Sequence, residues 1–337
     1  MVRIIFLSAF CSMIFLSHCS SKKERMIMTV NGPIASKEMG TTLIHEHILV
    51  DFIGADSITD ERWTRSEVAE TALPYLIQIK ELGCKTFLEC TPAYLGRDPL
   101  LLKSISSSTG LNILTNTGFY GAGNNKYIPG FAYEETADQI ASRWILEWEN
   151  GIENTGIKPG FIKIGVESGN LSALHKKLVI AAALTHLKTG LTIASHTGPG
   201  SPALEQIKIL KNEGVEPNAF IWVHAQVEKD TRLHIKAAKT GAWISFDGLD
   251  DNNTEDYLRM IKNMKENQML DRVLLSHDAG WYHPGEVNGG TYRGYTPLFL
   301  KLVPLLKKEK FSDKEIDQLL VSNPAEAFTI RVRSNRH

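Results

Sequence analysis

Six side chains able to hold metal ions close separate apolar runs, in the order His45, His47, Lys163, His196, His224 and Asp278. That order and mix describe two divalent cations held side by side, which is hydrolytic machinery. His45 and His47 lie in TTLIHEHILVD. Side chains of a strand alternate, so residues i and i+2 share a face and both imidazoles can reach one metal. Lys163 sits in GFIKIGVES, where an ammonium is costly unless its charge is paired or removed. Addition of CO2 removes the charge and creates a carboxylate that can bridge two cations, so Lys163 is expected as N6-carboxylysine. His196 (IASHTG), His224 (FIWVHAQ) and Asp278 (VLLSHDAGW) each end an apolar run just before a polar or glycine-bearing loop. Nitrogen and carboxylate donors of this kind suit zinc or a similar divalent ion. A single histidine in such a place is more often a core residue than a ligand. Six such residues at the carboxyl ends of expected parallel strands, where barrel enzymes place their chemistry, are poorly explained by chance.

Eight short runs rich in β-branched and aromatic residues must position them, near residues 41–51, 85–91, 112–119, 160–167, 191–196, 219–225, 242–247 and 272–278. Helical patterns separate the runs, among them RSEVAETALPYLIQIKELG, with Pro74 as a possible kink, and ALHKKLVIAAALTHLKTG, which stops at Lys188 and Gly190. Strand and helix alternating eight times predict an α/β chain folded as a single (β/α)8 TIM barrel, the metal centre lying at the C-terminal ends of its strands. A doubly wound open sheet is disfavoured, because H-x-H stands where a Gly-rich phosphate loop would follow the first strand. SDKEIDQLLVSNPAEAFTI reads as two terminal helices, the second starting at Asn323-Pro324. No linker divides residues 29–332, which are expected to form one domain.

Residues 1–18 combine Arg3 with an apolar stretch from Ile4 to Leu16, the build of a secretory signal too short to span a membrane. Leu16-Ser17-His18-Cys19 is similar to a bacterial lipobox, with Cys19 as the lipidated residue and residues 19–28 as a polar tether. The expected location is the bacterial envelope, anchored by lipid; a start at Met26 or Met28 would instead leave the protein in the cytoplasm. Cys84 and Cys90 are about 20 Å apart on one extended strand, too far for a disulfide. They are expected as buried thiols. A net charge of −1 over 337 residues gives no electrostatic footprint for nucleic acid.

With these residues in hand, the chain resembles the phosphotriesterase-like branch of the amidohydrolase superfamily. The likeness runs from NGPI through MGTTLIHEHILVD to SNPAEAF, and includes GRD at residues 96–98, TGFY at 117–120 and SHD before the last expected loop. It implies that His45, His47 and Asp278 hold a buried metal and His196 and His224 an exposed one. Carboxylated Lys163 and a hydroxide then bridge the pair, with Asp278 taking the proton from the attacking hydroxide. It also implies that Tyr120 leans over the metals, and it points to a homodimer. Two features depart from the family pattern. Asp247 is followed by Gly248, where some members carry a histidine or arginine. The loop AGWYHPGEVNGGTYRGYTP is also unlike the patterns of known lactonases, and its Trp281 and Arg293 are candidate substrate contacts. Arg97 and Asp98 are expected to pair with each other at a helix start, His277 to face the helix layer, and Gln226 to face the site. His175, His186 and His234 fall in helical patterns, as surface or core residues.

The expected activity is hydrolysis of an ester bond, in a lactone or small carboxylate ester. The alternatives are hydrolysis of a phosphorus ester by the same metal pair, and a surface lipoprotein that only binds ligand.

Overall fold

The computed structural model describes residues 24–335. The signal sequence and Cys19 therefore lie outside the described residues. A hairpin opens the fold, with β1 (Met26–Thr29) antiparallel to β2 (Gly32–Ala35). The expected tether through residue 28 is corrected here. Met26 to Thr29 are paired along their length with β2, because alternate residues of the pair find cover beneath the barrel: Ile27 is fully buried.

The eight expected strands follow as β3 (Thr42–Glu46), β4 (Thr86–Glu89), β5 (Asn112–Leu114) with β6 (Asn116–Thr117), β7 (Phe161–Gly165), β8 (Ile193–His196), β9 (Phe220–Val223), β10 (Trp243–Phe246) and β11 (Val273–Leu275). The third run is split at Thr115 into β5 and β6. Every pairing from β3 to β5 and from β6 to β11 is parallel, and the order in space follows the order in sequence. Individual hydrogen bonds join the last strand region to the first. Asp278 N–H donates to the His45 carbonyl at 3.0 Å, and His45 N–H donates to Ser276 Oγ at 3.0 Å. Glu46 accepts from His277 N–H and Ala279 N–H, each at 3.0 Å. The His277 ring faces away from the cavity, as expected, with Nδ1 on Glu46 at 2.6 Å and Nε2 accepting from Leu298 N–H.

Helices cover the outside of the strands. Arg65–Glu81 runs through Pro74 as one helix, and Ala173–Thr189 stops at Gly190, whose φ of 76° is left-handed. Period-two alternation sorts the strand side chains. Leu88, Leu114, Phe161, Ala194, Ile221, Trp243 and Leu274 fill the interior, while Phe87, Ile162, Ile193, Phe220, Trp222 and Ile244 pack against the helices. Phe328, from the last helix (Asn323–Phe328), joins the interior cluster. Cys84 and Cys90 flank β4 as buried free thiols.

His175, His186 and His234 are all buried. His186 is a lock between the helix layer and the chain end. Its Nδ1–H donates to the Leu191 carbonyl at 2.8 Å, and its Nε2 accepts from Arg333 N–H at 2.9 Å. Only the neutral ring can do both. Burial lowers its pKa from 6.5 to about 4. The unfolded chain therefore binds more protons than the folded one between those values, and this contribution, present above pH 6.5, is lost as pH falls toward 4. The shift corresponds to about 3 kcal/mol. His186→Asn, which removes the titrating group, will flatten the fall in urea stability between pH 6.5 and 4. An unchanged slope would mean that His186 does not govern this window.

Arg97 and Asp98 do not pair with each other, which corrects that expectation. Arg97 is held by Glu147 at 2.7 Å and Glu153 at 3.0 Å, and donates to the Asn116 carbonyl. Asp98 caps the helix Pro99–Thr109 by accepting from Leu101 N–H, and also takes Arg65 and Trp63 Nε1. As the residue before the helix it must face the unpaired N–H groups of the first turn, so its carboxylate is committed there.

Candidate metal centre and active site

All six expected ligands line one cavity of about 80 Å³, together with Tyr120, Trp281, Val50, Phe52, Cys90, Pro92 and Leu95. Larger cavities of about 390 and 460 Å³ lie elsewhere and contain none of the six. The chemistry, not the size, marks the site.

Local backbone geometry turns the ligands inward. A register shift between Leu43 and Glu46 sets three steps of β3 against two of β4. Such a bulge re-aims the residues after it. Ile44 thus joins the interior while His45 and His47 both reach the cavity. Along β9, Ile221 and Val223 face inward, so alternation would send His224 outward. Its left-handed φ of 61° turns it into the cavity instead. Two glycines allow the loops to approach. A Cβ on Gly118 would lie 2.1 Å from the Lys163 carbonyl oxygen, and one on Gly280 would lie 1.8 Å from that of His47.

The imidazoles are held from behind. His47 Nδ1 lies 2.7 Å from Thr91 Oγ1, which donates to Glu89. His224 Nδ1 is 2.7 Å from Asp247 Oδ1. His45 Nδ1 is 3.1 Å from Asp247 Oδ2, although poorly aligned for a hydrogen bond. The opposite nitrogens converge on Asp278, with Nε2 of His47 at 3.0 Å, His45 at 3.7 Å and His224 at 3.9 Å from its oxygens. His196 Nδ1 lies 3.0 Å from Tyr120 OH. Lys163 Nζ is 3.4 Å from His45 Nε2, and no carboxylate among the described residues lies within 4.0 Å of it.

Protonation states suit metal ligation. Burial and Lys163 lower the His45 pKa to about 4, and burial with His224 holds His196 well below its usual range. Burial would raise the Asp278 pKa, but His47, His45 and His224 override it and keep the carboxylate ionised. Burial opposes a charge on His224 as well, yet Asp247 raises its pKa. Metals bind neutral imidazole and carboxylate, and these are the forms favoured for His45, His196 and Asp278. His45, His47 and Asp278 bring one ligand atom each within 4.8 Å of one another, as do His45, His224 and Asp247. Asp247 is better read as an orienting group. Its oxygens already face Nδ1 of both histidines and accept from Ser245 Oγ, His224 N–H and Gln226 Nε2.

The sequence profile of the phosphotriesterase family matches residues 25–328. The chain belongs to the phosphotriesterase family. It is a hydrolase of that family, whose enzymes use a binuclear metal centre, and its His and Asp groups could bind metal. The phosphotriesterase homology protein of Escherichia coli (strain K12) is 29% identical over 293 residues, spanning 86% of this chain and 98% of its own. A phospho-furanose lactonase of Mycoplasmopsis agalactiae is 28% identical, over 90% of this chain and 91% of its own. The solved structure of an organophosphorus hydrolase double mutant from Deinococcus radiodurans superposes with a TM-score of 0.81 at 25% identity, covering 90% of this chain and 96% of its own.

The remaining expected site residues fall as follows. Tyr120 and Trp281 line the cavity. Arg293 does not: its side chain is exposed, and Nη1 donates to the Asp278 carbonyl at 3.2 Å. Backbone bonds between Gly280 and Arg293 in both directions fix it there, as a brace on the loop. Gln226 reaches the site indirectly, through Asp247. Asp247, Glu89, Thr91 and Glu46 are partners not expected from the sequence. Their signal was available, because each is polar within or directly beside an apolar strand run. Asp247→Asn should weaken metal binding about 10- to 100-fold by freeing two imidazoles. Titration with a chelator-buffered metal reads this, and unchanged affinity would leave Asp247 with a packing role alone.

Proposed function

We propose that this protein hydrolyses a neutral, compact carboxylic ester, a lactone or small open-chain ester, using two divalent cations. His45, His47, His196, His224, Asp278 and a carboxylated Lys163 would hold them. The convergence of three imidazole Nε2 atoms on the ionised Asp278 carries this reading. When bound, the cations supply Lewis acidity that lowers the pKa of water and polarises the scissile group. Asp278, ionised and facing the cavity, accepts the proton of the attacking water and returns it to the departing alkoxide. The water oxygen bonds to the acyl carbon, the C–O bond breaks, and acid and alcohol leave. Burial pushes the Tyr120 phenol up, so it remains a neutral hydrogen-bonding group beside His196. Val50, Phe52, Pro92 and Leu95 keep bulk water from the reacting atoms.

The name of the Mycoplasmopsis agalactiae relative, a phospho-furanose lactonase, supports the lactone reading first. The name of the Deinococcus radiodurans neighbour favours the phosphorus reading as the second possibility. Zinc-loaded protein with two equivalents of metal should be assayed on δ-valerolactone, p-nitrophenyl acetate and diethyl p-nitrophenyl phosphate. A higher kcat/KM for the first two is expected. The reverse order would favour phosphorus chemistry, and one equivalent of metal or none in folded protein would sink the metal-pair reading.

A further inference from the structure

Asp278 stands on a turn that the strands around it do not hold by themselves. Its φ of 54° lies in the left-handed region, which a residue with a Cβ occupies at a cost and keeps where its neighbours over-determine it. Among the described residues no strand ladder joins β11 to β3, so the turn sits at the seam between the last strand and the first. Asp278 N–H crosses that seam to the His45 carbonyl at 3.0 Å. The backbone donors on either side of it, His277 N–H and Ala279 N–H, both go to one side chain, that of Glu46, at 3.0 Å each.

Glu46 lies between His45 and His47 in the chain, is fully buried and does not line the metal cavity. Four donors converge on it. Oε1 accepts from Ser276 Oγ at 2.7 Å, from His277 N–H and from His277 Nδ1–H at 2.6 Å, while Oε2 accepts from Ala279 N–H. The His277 ring carries its proton on Nδ1, because Nε2 accepts from Leu298 N–H at 3.1 Å. Ser276 Oγ in turn accepts from His45 N–H at 3.0 Å. No lysine or arginine among the described residues lies within ion-pair distance of Glu46. A buried carboxylate is costly unless its oxygens are satisfied, and here residues 276–279 alone satisfy them. One side chain thereby ties the strand that bears His45 and His47 to the turn that bears Asp278. Through His277 it also reaches the far end of the following loop, at Leu298.

Resting on the reading of Asp278 as metal ligand and proton acceptor, we propose that Glu46 is the positioning residue for Asp278. It holds the peptide groups on both sides of that residue, so that the Asp278 carboxylate meets His47 Nε2 at 3.0 Å and His45 Nε2 at 3.7 Å. Its action on the metal centre runs through geometry, as with other groups that orient a ligand from behind.

Glu46→Gln keeps the side-chain volume. The amide oxygen can replace Oε1 before its three donors, which leaves the amide NH2 facing Ala279 N–H, donor against donor. The turn is thus released just after Asp278. Zinc affinity from chelator-buffered titration and kcat on δ-valerolactone should each fall about 10- to 100-fold, with KM little changed. Glu46→Asp keeps the charge but withdraws the oxygens by one methylene. It should fall as far, whereas a role through charge alone predicts wild-type values. The deciding measurement is a double-mutant cycle on zinc affinity with Asp278→Gly, which suits the left-handed backbone and has no ligand to position. In that background Glu46→Gln should change the affinity by less than about twofold. Equal losses in both backgrounds, or wild-type affinity in Glu46→Gln, would overturn the proposal, because a general weakening of the fold does not depend on Asp278. Urea unfolding identifies the folded variants. If Glu46→Gln does not fold, Ser276→Ala removes one of the four donors and carries the same cycle with a smaller loss. A wild type that binds zinc without hydrolysing δ-valerolactone would fail the ester reading and leave the affinity cycle to decide on Glu46. Folded wild type that binds no zinc would overturn both.

Discussion

Asp278→Asn will lower kcat about a hundredfold to ten-thousandfold, the usual worth of a positioned proton acceptor. Asparagine keeps the shape and one oxygen donor but cannot take a proton. The native carboxylate is ionised because His47, His45 and His224 face it, and its Oδ1 lies 3.0 Å from His47 Nε2. The loss should fall mainly on kcat, since the cavity walls that hold the substrate are unchanged. Steady-state kinetics on δ-valerolactone measure it, alongside metal content to separate lost proton transfer from lost metal. Activity within tenfold of wild type, at full metal loading, would remove Asp278 from the proton path.

The second large effect concerns Lys163. Its side chain is 2% exposed, with a histidine nitrogen as its near neighbour and no carboxylate in ion-pair reach among the described residues. An ammonium there is uncompensated, whereas a carbamate would face the imidazoles as an anionic ligand. Lys163→Ala should lose metal and nearly all turnover, and short carboxylic acids should restore part of both by placing a carboxylate in the vacated space. Apo wild type reloaded in CO2-free buffer should regain activity more slowly than with bicarbonate. Full activity of the alanine variant, or no dependence on bicarbonate, would exclude the carbamate.

These predictions use residues the sequence already exposed, while the geometry behind them did not come from the sequence. Short apolar runs rich in β-branched and aromatic residues, with helical stretches between them, marked all eight strand regions, because a buried strand must be apolar over its whole length and turn signals must bound it. The polar residue ending each apolar run then stood out as costly, which is why His45, His47, Lys163, His196, His224 and Asp278 were legible one by one. Partners were less legible. Asp247 orients two histidines from a different strand, and nothing in WISFDG states which side chains lie across the barrel. Arg97 and Asp98, adjacent in sequence, turn to different elements because one must reach the helix at residues 137–150 and the other caps its own helix.

The sequence by itself determined the strand order, the candidate ligands and their placement at strand ends, since apolar runs and the cost of burying polar groups are local. Only the tertiary structure decided which way each ligand points. The bulge in β3 brings His45 inside beside Ile44, and the left-handed backbone at His224 reverses the face that alternation assigns. The same packing sets Arg293 against the Asp278 carbonyl and outside the cavity, and leaves the Trp281 N–H buried without a partner. Each is a strained or non-local arrangement whose cost is offset by contacts far away in the chain, so no window of sequence contains both the cost and its compensation.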